Sequence, residues 1–171
     1  MSWTRTFGAR RTQGEPAFAR DLPGEERPMR SFVGSFTCTL DTKGRIMVPA
    51  RFRRLLPTDS GEVLVISKGK EQCLNLYPSA EWEQVIGRLE NLPPGPKKRN
   101  LIRFYSDKSQ TVNLDKAGRV AIPAPFLELI DGPRKVVVIG ALTYMEIWSE
   151  EDYEQVRNDA LETYLDGDWE Y

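Results

Sequence analysis

The chain has 171 residues, is 40% hydrophobic and 29% charged, and carries a formal net charge of −1, which fits one globular domain or two small ones sharing a core. It contains no histidine, so the commonest general base and metal ligand is missing and no Ser-His or Cys-His nucleophile pair can form. Two cysteines cannot build a four-ligand zinc site, so metal and acyl-transfer enzymes are disfavoured early and no cofactor is expected.

Residues 1–30 mix Arg, Gly, Pro and acids without an apolar period. They read as a disordered extension, and the absence of an apolar h-region argues against a secretory signal. Arg5, Arg10 and Arg11 in it read as a solvated tail rather than a polyanion grip. Patterning begins at Phe32. SFVGSFTCTL predicts a strand, DTKG a turn in which Asp41 bonds its own backbone and Gly44 supplies positive φ, and RIMV a second strand. Pro49 then opens a short helix, PARFRRLL, where its missing N–H is harmless. GEVLVISKG and CLNLYP predict two more strands. Cys38 and Cys73 fall inside these strands and read as free buried thiols in a reducing compartment. Ser79 is expected to cap a helix over AEWEQVIGRLENL, with Trp82, Val85, Ile86 and Leu89 on one face. PPGPKKR, residues 93–99, reads as a linker. Its Lys97, Lys98 and Arg99 read as plain charge on that linker.

The pattern then restarts. An amphipathic NLIRFYSD leads to QTVNL as strand, DKAG as turn, RVAI as strand, PAPFLELI as helix, and RKVVVIGA and YMEIW as strands. Ser149 with Asp152 has the form of a capping box for the last helix. Residues 36–56 align with residues 110–130, with identity at Thr37, Leu40, Asp41, Gly44, Arg45, Pro49, Ala50, Phe52 and Leu55. Trp82-Glu83-Gln84-Val85 answers Tyr153-Glu154-Gln155-Val156. The chain is therefore an internal duplication. One unit of about fifty residues buries little core alone, so two copies are expected to pack as a pseudo-twofold pair that hides each other's strand edges. Phe52, Trp82, Trp148 and Tyr153 are expected in the core.

Asp41, Gly44 and Pro49, with their counterparts Asp115, Gly118 and Pro123, read as folding punctuation. Arg45 and Arg119 differ, because a hydrophobic residue there would serve the fold better. Each can pair with the Asp four residues earlier and still present spare donors. Lys43, Arg45, Arg51, Arg53 and Arg54 lie within twelve residues of one another, opposed only by Asp41. In the second copy Lys116 and Arg119 remain, but Pro125, Leu127 and Glu128 replace the three later arginines. A net charge near zero means that any nucleic-acid surface must be confined to one face, and a basic β-ribbon turn suits a DNA major groove. No glycine-rich phosphate loop, paired catalytic acids or nucleotide fingerprint is present, and no run of eighteen apolar residues suggests a membrane span.

The doubled D-x-x-G-R with its following Pro, together with FVGSFTCTLDTKGRIMVPARFR, LYPSAEW and the second-copy strand ending in EIW, resembles the MraZ family of bacterial transcriptional regulators. The resemblance runs from about Phe32 to the last helix. It implies an α+β fold of two SpoVT/AbrB-type units, interleaved as a swapped-hairpin, double-psi-like β-barrel with peripheral helices. The expected boundaries are an extension over 1–30, a first unit over 32–80, helix and linker over 81–107, a second unit over 108–151, and a C-terminal helix and tail over 152–171. It further implies binding of double-stranded DNA at repeated boxes in the promoter of the division and cell-wall gene cluster, which includes the regulator's own gene. It implies a ring-shaped homo-oligomer, a cytoplasmic, nucleoid-associated location, and no enzymatic activity. The DNA contacts it implies are Thr42, Lys43 and Arg45 in the first unit and Lys116 and Arg119 in the second. Arg51 joins them from the charge count. The alternative is an AbrB-like interaction module, either antitoxin-type or an architectural DNA-binding protein without promoter specificity. The short acidic tail DGDWEY weakens the antitoxin form.

Overall fold

The computed structural model describes residues 31–56 and 63–167; the expected N-terminal extension lies outside them. In chain order the elements of the first repeat are β1 (Ser35–Thr39), β2 (Arg45–Met47), α1 (Ala50–Arg53), β3 (Val63–Lys68), β4 (Cys73–Pro78) and α2 (Ser79–Glu90). After α3 (Pro96–Asp107) come β5 (Ser109–Asn113), β6 (Arg119–Ala121), α4 (Ala124–Glu128), β7 (Lys135–Ala141), β8 (Tyr144–Ser149) and α5 (Glu150–Leu165). The duplicated order expected from the sequence is present.

All strand pairings are antiparallel. Six strands form one sheet in the order β1-β7-β8-β4-β3-β5, and β2 pairs with β6 in a separate ribbon. Exchanging the repeats, so that β1 trades with β5, β3 with β7 and β4 with β8, simply reverses this order. That is the signature of a pseudo-twofold. The repeats also trade strands: β1 pairs with β7 of the second repeat, β5 with β3 of the first, and β2 with β6. The central β3, VLVISK, is apolar almost throughout because it is covered on both faces.

Alternation sorts the side chains. Leu74 and Leu76 of β4 sit opposite Ile147 and Met145 of β8, and all four are fully buried on one face of the sheet. That face meets the ribbon residues Ile46 and Val120 and the short-helix residues Phe52 and Phe126 in a single core. The Phe52 ring stands edge-on to Phe32 and Phe36, with centroids 5.5 and 5.1 Å away, a favoured aromatic geometry. The other face is covered by α2 over β3 and β4, and by α5 over β7 and β8. Tyr77 stacks on Tyr144 at 4.8 Å and touches Trp82, which in turn meets Tyr105 of α3. Phe52 and Trp148 are buried as expected, whereas Trp82 and Tyr153 are half-buried. Both cysteines are free; Cys73 is buried and Cys38 only half-buried.

Two local expectations are corrected. Ser79 is the first residue of α2, and Pro78 holds the cap position with no side-chain cap bond. Pro78, at φ −57° and ψ 148°, ends β4 and leads directly into the helix. The helix-breaking run is also shorter than its prolines suggest. Pro96 occupies the first position of α3, where its fixed φ favours a helix start, so Lys97, Lys98 and Arg99 lie on a helix rather than a linker. Ser149, by contrast, does cap α5: its Oγ accepts from the Asp152 N–H at 3.0 Å.

Candidate nucleic-acid interface

Each turn is built by one carboxylate. Asp41 Oδ1 accepts from the Lys43 N–H at 2.8 Å and the Arg45 N–H at 3.0 Å, and Oδ2 accepts from Arg45 Nε at 2.8 Å. Asp115 repeats this with Ala117 N–H at 2.9 Å, Arg119 N–H at 2.9 Å and Arg119 Nε at 2.8 Å. The backbone closes beneath: Gly44 N–H donates to Asp41 O at 3.0 Å, and Gly118 N–H to Asp115 O at 2.8 Å. Both glycines take the left-handed conformation, at φ 72° and 80°, which the turn requires and other residues resist. The Arg45 backbone N–H, with the Arg45 side chain and the Lys43 N–H adding to it, holds the Asp41 carboxyl at about 2. The Asp115 carboxyl is lowered in the same way, first by the Arg119 backbone N–H. Each arginine spends one of its five donors on this lock. Among the described residues, no bond engages the terminal guanidinium nitrogens.

The ribbon then aims these arginines. Arg45 pairs with Ala121, Ile46 with Val120 and Met47 with Arg119. Paired residues share a face, and successive residues alternate. Ile46 and Val120 point into the core, both fully buried. Arg45, Met47, Arg119 and Ala121 therefore form the outward face, with Met47 and Ala121 exposed. The two D-x-x-G-R turns flank that face. Thr42, Lys43 and Lys116 are exposed at the turns, and Arg51 is exposed on α1.

The turns are also tied across the repeat. Ile122 N–H donates to Gly44 O at 2.8 Å, and Val48 N–H donates to Gly118 O at 3.0 Å. The first turn thus sits beside Pro123 and α4, and the second beside Pro49 and α1. This corrects the linear charge count, because α1 belongs spatially with the second turn. Arg53 lies directly over Gly118, where a Cβ would collide with its guanidinium. At the first turn the equivalent neighbour is Leu127, whose Cδ1 would stand 3.3 Å from a Gly44 Cβ. The outward placement of Met47 follows from strand alternation and was legible in the sequence. No local signal couples Arg53 to Gly118.

Comparison with known proteins settles the family. A family model described as "MraZ protein, putative antitoxin-like" matches residues 31–103 and 107–166.

The chain belongs to the MraZ family.

A transcriptional regulator MraZ from Lachnoclostridium phytofermentans is 34% identical over 135 residues, 79% of this chain and 93% of the relative. One from Desulforamulus reducens is 35% identical over 130 residues, covering 75% and 89% of the two chains. One from Desulfitobacterium hafniense is 37% identical over 133 residues, covering 75% and 90%. Both matched segments of the MraZ model contain a D-x-x-G-R turn. MraZ family members are transcriptional regulators and not enzymes.

Proposed function

We propose that this chain is a sequence-specific DNA-binding transcriptional regulator whose ribbon face, flanked by the two turns, is the contact surface. One observation carries this reading: two guanidiniums emerge on one solvent-facing ribbon, each held by a carboxylate in the same geometry. Prearranged arginines lose little rotamer freedom on binding and suit guanine edges and phosphates alike. The printed names of the relatives point the same way. Arg45 and Arg119 are the base-edge candidates, and Thr42, Lys43, Arg51 and Lys116 contact the backbone.

The family resemblance supplies the finer reading. The target is the promoter of the division and cell-wall cluster, including the protein's own gene, and the site of action is the nucleoid. The swapped strands are consistent with a closed double-psi-like barrel. One ribbon makes a small footprint, so a ring of copies engaging successive boxes gains avidity through effective concentration. Boxes spaced about 10 bp apart then face the same side of the duplex. The antitoxin-type reading, favoured by the wording of the family description, would keep the ribbon for assembly alone.

Arg45→Ala is the test. It is expected to cost roughly 1–3 kcal/mol per engaged site and to flatten the preference between native and altered boxes. Circular dichroism checks that the fold persists. Binding as tight as the parent's, on an intact fold, would remove the ribbon from the interface.

A further inference from the structure

The outward face of the ribbon is a square of four side chains. Arg45 stands opposite Ala121 and Met47 opposite Arg119, so the arginines lie on one diagonal and Met47 and Ala121 on the other. Directly opposed residues bring their Cβ atoms within about 5 Å, and alternate residues of one strand lie about 7 Å apart. Met47 is therefore flanked by the stems of both arginines.

Met47 is the odd residue on this face. It is 45% exposed, on a surface whose other long side chains are cationic. A single exposed apolar residue is ordinary in itself, but the pseudo-twofold supplies a control. Ala121 holds the equivalent place and is exposed too, so the ribbon folds there without a long apolar side chain. The core does not need Met47 either: its neighbours Ile46 and Val48 point inward and are buried, and alternation sends Met47 out. Phosphate gives it no partner, because a thioether has no hydrogen to donate.

The DNA major groove presents one apolar group, the C5 methyl of thymine. We infer that Met47 packs against a thymine methyl between the base edges approached by Arg45 and Arg119, and so reads a base that neither arginine reads. This rests on the DNA reading above and deepens it with a specificity contact that carries no charge. An unbranched side chain with a polarizable sulfur adapts to the position of the methyl. A spacing of about 5–7 Å covers one or two base-pair steps of about 3.4 Å, which puts the thymine within about two base pairs of each contacted base. Ala121 ends at Cβ and reaches less far, so the thymine preference is stronger on the Met47 side of the ribbon.

The test uses the full chain, a duplex from upstream of its own gene and a shuffled duplex. Deoxyuridine replaces thymidine at one position at a time, which removes the methyl and keeps the base pair. For the parent protein, one or two of these replacements are expected to weaken binding about fourfold, the scale of one buried methyl. Met47→Ala is expected to bind the native duplex more weakly and to be indifferent to the same replacements, whereas Met47→Leu keeps the sensitivity. The slope of log K against log salt stays that of the parent in both variants, because no phosphate contact is lost. A parent indifferent to every deoxyuridine overturns the inference. So does Met47→Ala protein that remains as sensitive as the parent, or that binds more weakly by the same factor with thymine and with deoxyuridine. Parent protein that binds neither the native nor the shuffled duplex defeats the DNA reading and the inference with it, a distinct outcome.

Discussion

Asp41 and Asp115 each hold three donors, and this fixes how acid acts on the turns. Both carboxyls are lowered in the folded chain, Asp41 to about 2. Their contribution to stability is therefore complete above the unfolded value, about 3.9. It is lost as pH falls through the folded one. Carbon-13 titration should show Asp41 protonating near pH 2, with the Lys43 and Arg45 amide resonances moving together. A titration midpoint at the ordinary value would mean that the lock is absent in solution. The two glycines differ in what crowds them. Gly44→Ala should cost at least roughly 1–2 kcal/mol for a left-handed non-glycine residue, and its added Cβ also crowds the Ile122 backbone oxygen at 3.2 Å and Leu127 Cδ1 at 3.3 Å. Gly118→Ala carries the same backbone strain, but it meets only the flexible end of Arg53, which can swing aside, so it should cost no more than Gly44→Ala. Urea denaturation of the two variants checks this order. The turns were legible because their chemistry is local: Asp, Gly and Arg act within five residues. The partner of Gly118 was not legible, because Arg53 reaches it only through strand exchange.

At the scale of elements, helix starts show where local rules suffice. Ser149 caps α5 because its side chain and the Asp152 N–H are three residues apart, a relation the sequence displays. Ser149→Ala should cost about 1 kcal/mol, read as a lower Tm on an otherwise unchanged unfolding curve. Ser79 differs: it has Trp82 rather than an acid three residues on, it is already the first residue of α2, and Pro78 holds the cap position with no cap bond. The expected linker over residues 93–99 is cut short at Pro96, where α3 begins. Proline was read only as a breaker, although its last occurrence, Pro96, is a helix starter. The apolar residues that fix α3 act through tertiary contact, such as Tyr105 against Trp82. The short helix α1 matters beyond its length. Phe52 anchors it in the core against Phe32 and Phe36, and Arg51, Arg53 and Arg54 ride on that anchor. Phe52→Ala is expected to cost about 3–5 kcal/mol and to loosen the arginines with it.

For the whole molecule, strand exchange is the organising fact. Neither repeat owns a sheet: β1 needs β7, β5 needs β3, and β2 needs β6. The repeat was plain in the sequence, and so was the pseudo-twofold. The pairing order was not, because strands of either repeat carry the same alternation and could pair within or between copies. A chain cut between α2 and α3 should therefore yield two fragments that lack cooperative unfolding when separate and regain it when mixed. Near-UV circular dichroism reads this directly. Exchange also places the two arginines on adjacent strands of one ribbon, which turns a duplicated motif into a single surface. The claim that this surface reads DNA is tested most directly by fluorescence anisotropy. The full chain would be titrated into a labelled duplex from upstream of its own gene and into a shuffled duplex, at two salt concentrations. Tighter binding to the native duplex, weakening steeply with salt, is the predicted result. No binding to either duplex at low salt would contradict the account.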